Sequence, residues 1–231
     1  MDIEIADGSG FCFGVRRAVN LALRAAEDHG RRTVTLGPLV HNPLVVERLE
    51  AKGIRAVEEV AGDADVVVLR AHGTPAPQEE SLRRRRLEIV DATCPFVKRA
   101  QRHARALREE GYQVVILGDR AHPEVASVRS YAGDDAVVVE SADDLPVALG
   151  PRVGVMAQTT QPEEAFLRLV RRLAPGAAEV RVVNTVCRST AARRAETEKL
   201  ASRVQVMIVL GGRRSHNTRE LARVSRLAGV D

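Results

Sequence analysis

The sequence predicts an α/β protein made of three similar small units with mostly parallel sheets around a shared centre, the third unit incomplete. Three observations lead there. Short β-branched runs alternate with helical stretches of about a dozen residues, the pattern of successive βα units. Cys12, Cys94 and Cys187 recur at intervals close to one such unit, each where a loop turns into a helix. Four predicted strands run into polar segments, and in open parallel sheets ligands bind beyond the carboxyl ends of strands.

Strands are predicted at 2–6, 33–37, 54–57, 66–70, 88–90, 113–117, 136–139, 153–157, 180–183 and 206–211. Helices are predicted at 14–28, 43–51, 77–86, 96–110, 123–130, 162–173, 190–203 and 217–228. Helix 14–28 carries Val15, Val19, Ala22, Leu23 and Ala26 on one face and Arg17, Asn20, Arg24, Glu27 and Asp28 on the other, so it should cover a sheet from outside, with His29 exposed at its end. Helix 162–173 has Pro162 in its first turn and turns Phe166, Leu167, Val170 and Leu173 inward. The units divide at the cysteines, into 1–94, 95–187 and 188–231. After helix 217–228, Gly229-Val230-Asp231 reads as a C-cap leading toward a further strand, so the last unit is expected to be incomplete.

Composition narrows the function classes. With 231 residues, 45% of them hydrophobic, the chain can bury a real core. Its apolar runs, such as Val206-Met207-Ile208-Val209-Leu210, fall far short of the roughly 20 residues that span a bilayer, so no membrane association is expected. The acidic start Met1-Asp2-Ile3-Glu4 does not resemble a secretory signal, and a cytoplasmic protein is expected. A net charge of +4 suits an anionic ligand. The run Arg83-Arg84-Arg85-Arg86 lacks interleaved aromatic residues and reads as a solvated helix end, not a nucleic-acid platform.

Three residue groups carry the chemistry. The cysteines are an odd number, so a disulfide framework would leave one thiol over, and they lack the C-x-x-C pairing usual at zinc sites. Three readings stay open: separate buried thiols, a zinc site completed by histidine or water, or three ligands of a 4Fe–4S cluster whose fourth iron is free. Under the last, the sulfurs should converge within about 7 Å. His41, His72 and His122 stand in loops just past predicted strands, suited to ligating metal, moving protons or holding phosphate. Glu124 follows His122-Pro123, and Thr159 and Thr160 follow Gln158 at another strand end. Ser215, His216 and Asn217 stand at the start of the last helix, where free amides favour an anion.

At these residues the sequence resembles the LytB/IspH family, the 4-hydroxy-3-methylbut-2-enyl diphosphate reductases. The resemblance runs through GFCFGVRRAV at 10–19, GPLVHNPLVVERLEAKGI at 37–54, RAHG at 70–73, EIVDATCPFVKRA at 88–100, VVILGDRAHPEV at 114–125, VMAQTTQPEEAF at 155–166, NTVCRSTAARR at 184–194 and VMIVLGGRRSHNTREL at 206–221. It implies a trefoil of α/β units around a 4Fe–4S cluster held by Cys12, Cys94 and Cys187, with one iron not ligated by cysteine. It further implies that His41, His72, His122, Ser215 and Asn217 bind the allylic diphosphate, that Glu124 supplies protons and that Thr159 orients them. Ferredoxin or flavodoxin is the implied electron donor, and isopentenyl and dimethylallyl diphosphates are the implied products.

Two departures stand out. His216 occupies a position where the family usually has serine, placing a bulkier imidazole in the substrate-binding segment. The family also continues for some 50 further residues, about half a small domain, with another diphosphate-binding serine. That leaves a second reading: a truncated or degraded form that holds a metal centre or a diphosphate without turnover.

Overall fold

In the computed structural model, the described residues are 2–27, 32–62, 64–85 and 87–230. Asp28 and His29, at the predicted end of the first helix, and Arg86 of the arginine run lie outside them. Two four-stranded sheets, parallel throughout, form the body of the protein.

The first sheet contains β1 (Thr33–Leu36), β2 (Arg55–Val57), β3 (Val66–Leu69) and β4 (Glu88–Asp91), in the order β2-β1-β3-β4. The second contains β5 (Gln113–Leu117), β6 (Val137–Val139), β7 (Arg152–Ala157) and β8 (Glu179–Val182), in the corresponding order β6-β5-β7-β8. All four residues of β1 and of β3 are buried, as a central strand covered on both faces requires. Registers are uninterrupted, with Thr33 opposite Val66 through Leu36 opposite Leu69 in one sheet and Gln113 opposite Val153 through Leu117 opposite Ala157 in the other.

The helices are α1 (Phe13–Glu27), α2 (Pro43–Glu50), α3 (Ala76–Arg83), α4 (Pro95–Glu109), α5 (Pro123–Ala132), α6 (Glu163–Leu173), α7 (Arg188–Ala201) and α8 (His216–Leu227). Proline in the first turn of α2, α4 and α5 starts each helix without wasting an amide, and Asn42 caps α2 by accepting from the Leu44 amide at 3.1 Å. Pro162 instead stands at the N-cap of α6, one position earlier than the sequence suggests. Ala18, Ala22 and Ala25 of α1 pack on the first sheet, and Phe166, Leu169 and Leu173 of α6 pack on the second. Burying each of the three larger side chains of α6 stabilises the fold by about 1.5–3 kcal/mol.

Two predicted strands do not form. Residues 2–6 and 206–211 have no ladder partner among the described residues. The segment 206–210 nevertheless keeps a strand's alternation: Val206, Ile208 and Leu210 are exposed, while Met207 and Val209 turn toward the protein and the Ser225 hydroxyl of α8 donates to the Met207 sulfur at 2.8 Å. A β-branched run encodes a strand only where a neighbour supplies the ladder. Residues 188–230 therefore comprise two helices and an extended segment.

Candidate functional site

In both sheets the strand order reverses between the two central strands, and a crevice opens there at the carboxyl ends. The loop after β1 carries His41 and that after β3 carries His72; the loop after β5 carries His122 and that after β7 carries Thr159. Matching positions of the two sheets thus supply the four loops, and the three imidazoles meet. Ring centres are 4.1 Å apart for His41 and His72, 5.1 Å for His41 and His122, and 5.4 Å for His72 and His122.

His122 caps α5, its Nδ1 accepting from the Glu124 amide at 3.1 Å. A neutral ring that accepts at Nδ1 carries its proton on Nε2, which leaves a donor free. Burial, then the neighbouring His41 and His216, lower its pKa to about 4. Burial and the adjacent imidazoles hold His72 well below the usual range, and burial together with Arg70, Arg214 and Arg219 lowers His41. His41 Nε2 and His72 Nδ1 are buried without a hydrogen-bond partner among the described residues. One ring nitrogen from each histidine lies within 4.8 Å of the others, close enough to converge on a metal ion. The three arginines whose charge reaches His41 oppose a cation there and favour an anion.

The thiols gather beside this pocket. The Cys12, Cys94 and Cys187 carbonyls each accept the first helical hydrogen bond of α1, α4 and α7, at 3.0, 2.9 and 3.3 Å, so each thiol stands at a helix start. A Cβ added at Gly14 would lie 2.6 Å from Cys94 Sγ and 3.9 Å from Cys12 Sγ, so both sulfurs crowd one point. Burial pushes the Cys94 thiol up, and Cys12 and Cys187 are near enough to push it further. Backbone bonds join these loops to the pocket: Cys94 N–H donates to Ala71 at 3.0 Å, and Cys187 N–H to Thr159 at 2.8 Å.

Glu124 is buried in the first turn of α5. The Thr159 amide donates to its Oε1 at 2.6 Å and the Thr159 hydroxyl to its Oε2 at 2.9 Å. Burial raises its pKa to about 7 even though both bonds favour the charged form. The carboxyl is therefore divided between acid and base near neutrality. When it is protonated on Oε2, the hydrogen bond can reverse and the Thr159 hydroxyl can turn its own hydrogen into the pocket.

The last segment closes one side. Ser215 caps α8, its hydroxyl accepting from the Thr218 amide at 3.3 Å; the Asn217 side-chain oxygen accepts from the Thr190 hydroxyl at 3.4 Å; and His216 keeps a buried Nδ1 without a partner among the described residues. A Cβ at Gly212 would stand 2.1 Å from the His41 carbonyl oxygen, so this segment abuts the histidine loop. Arg70, Arg214 and Gln158 belong to the polar segments expected beyond the strands, but neither they nor Arg219 were given a role from the sequence. Gln158 accepts the Asp119 amide at 3.0 Å and so braces the His122 loop. Their signal was adjacency to the loop motifs, indistinguishable in a string from an ordinary arginine-rich surface.

Two parallel sheets whose reversal points join three imidazoles and a buried acid, beside three gathered thiols, define an α/β protein with a thiol-rich centre next to an anion pocket. The chain belongs to the LytB protein family, whose profile matches residues 3–231. It is 45% identical over 228 residues to the 4-hydroxy-3-methylbut-2-enyl diphosphate reductase of Geotalea uraniireducens, covering 97% of this chain and 80% of that protein. It is 46% identical over 228 residues to the reductase of the same name from Geobacter sulfurreducens, with the same coverage. A solved structure of (E)-4-hydroxy-3-methyl-but-2-enyl diphosphate reductase, described as the terminal enzyme of the non-mevalonate pathway, matches with a TM-score of 0.78 and 43% identity over 98% of this chain and 82% of that one. The Plasmodium falciparum reductase, at 24% identity with a TM-score of 0.89 over 97% of this chain and 73% of its own, shares the fold.

Proposed function

We propose that this chain is a cytoplasmic iron–sulfur reductase that converts (E)-4-hydroxy-3-methylbut-2-enyl diphosphate to isopentenyl and dimethylallyl diphosphates. The allylic C–O bond breaks, two electrons and two protons are consumed, and water leaves. The carrying observation is the placement of three thiols at the edge of a pocket lined by neutral imidazoles and a protonatable buried carboxyl.

The residues fit a 4Fe–4S cluster. Cys12, Cys94 and Cys187 would hold it as thiolates, and Gly14 leaves the space that a side chain would fill. Bound there, the cluster would supply single electrons and Lewis acidity. His41, His72 and His122, with Ser215, His216 and Asn217, would hold the diphosphate by directed donors, aided by the charge of Arg70, Arg214 and Arg219. Glu124 would give its proton to the departing oxygen, directly or through the Thr159 hydroxyl. Ferredoxin or flavodoxin would supply the electrons. Among the described residues no helix is long and apolar enough to cross a membrane.

Anaerobic reconstitution with iron and sulfide should give a brown protein with about four irons per chain. Turnover then separates the proposed enzyme from a form that holds the centre or the diphosphate without reaction. A colourless protein after reconstitution would remove the iron–sulfur reading.

A further inference from the structure

We infer that the arginines and phenylalanines around the three cysteine loops form the docking face for a small acidic protein that carries single electrons. The inference rests on the proposed reaction, which requires two electrons to reach the thiol-rich centre.

Aromatic placement comes first. The chain has four phenylalanines, and three of them, Phe11, Phe13 and Phe96, lie within two residues of Cys12 or Cys94. The fourth, Phe166, is an ordinary core residue at 1% exposure, whereas Phe11 is 42% and Phe13 is 58% exposed. Large apolar rings beside a functional centre and open to solvent mark interface anchors.

The charges surround the same loops. Arg16 in α1, Arg99 in α4 and Arg188 in α7 all fall within the first five residues of the helices that follow the cysteines, and all are exposed. None makes an ion pair among the described residues. Other cations nearby are engaged: Lys98 pairs with Asp91 at 2.8 Å, and Arg194 with Glu164 at 3.2 Å and Glu198 at 3.0 Å. The first turns of α1, α4 and α7 contain no acidic residue.

The loops lie side by side, so these residues share one surface. Arg193 of α7 donates to the Gly10 carbonyl at 2.8 Å, and Arg17 of α1 to the Thr93 carbonyl at 3.2 Å. The Arg99 guanidinium lies 5.7 Å from the centre of the Phe96 ring. A basic rim with apolar anchors complements a negatively charged protein and speeds encounter with it, the property needed by a carrier that binds, gives one electron and leaves.

The test uses the reconstituted chain and an acidic bacterial ferredoxin. Surface plasmon resonance at low ionic strength should show binding that weakens with salt. The triple variant R16E/R99E/R188E should raise Kd at least about tenfold. F11S/F13S should also weaken binding while leaving its salt dependence intact. Iron content and bleaching by dithionite should remain unchanged in both. An unchanged Kd in both variants overturns the docking face. So does equal affinity for a uridine 20-mer, or a chain dimer in light scattering that disappears in F11S/F13S. Failure to load iron overturns the reductase reading instead, because ferredoxin binding is measured equally on the unloaded chain.

Discussion

Glu124 has the property that proton delivery needs: an acid tuned to about 7 by burial, with Thr159 acting against that rise. A carboxyl whose pKa is raised is protonated below that value and loses its proton above it, so the proposed turnover should fall as pH rises through about 7. Glu124→Gln should lower kcat by about 100-fold or more while iron content stays the same. Thr159→Val removes one bond that favours the carboxylate and should move the alkaline limb upward, which a pH–rate profile reads directly. The imidazoles predict the opposite proton flow. His41, His72 and His122 are held below their usual range, and a bound polyanion pulls them back up, so pyrophosphate binding near pH 6 should take up protons. Calorimetry in buffers of different ionisation enthalpy measures this, and a buffer-independent heat would contradict it. At this scale the cysteines, histidines, Glu124 and Thr159 were legible because each sits at a strand or helix end. Arg70 and Gln158 were legible only as parts of polar segments beyond strands, because their effect comes through space.

Helix positions were mostly legible from sequence, inward faces less so: Leu167, expected inward, is 45% exposed, and Leu169 packs in its place. Proline in first turns and apolar spacing set α4 and α5, since those signals act within a few residues. The segment 206–211 reads as a strand from its own side chains, but a ladder is a property of two segments, and no partner lies alongside among the described residues. The glycines give the element-scale predictions. Gly14→Ala places a Cβ 2.6 Å from Cys94 Sγ, so iron loading should fall sharply, and the overpacking should lower stability by about 1–3 kcal/mol. Gly212→Ala drives a Cβ to 2.1 Å from a backbone oxygen, which cannot swing aside as a side chain can. That variant should load iron normally and bind pyrophosphate about tenfold more weakly, a loss of about 1.4 kcal/mol.

Over the whole molecule, the two sheets repeat one strand order, and that symmetry brings matching loops to a shared pocket. The βα alternation made the parallel class readable, whereas the mutual placement of the sheets depends on contacts between residues far apart in sequence. The extended segment leaves Val206, Ile208 and Leu210 at 65%, 79% and 89% exposure, with Ile3 and Ile5 at 80% and 79%. An alternating apolar edge invites pairing with other chains. I208K/L210K should therefore reduce the large species seen in light scattering without shifting the melting of the two sheets.

The bonds from Cys94 N–H to Ala71 and from Cys187 N–H to Thr159 give the protein something like a fuse. If the proposed cluster sits on these cysteines, its loss to air would free the thiols, and the same two seams would carry that disturbance to the ligand cavity. On the proposed reading, pyrophosphate affinity of the reconstituted protein should then fall together with its brown colour on exposure to air.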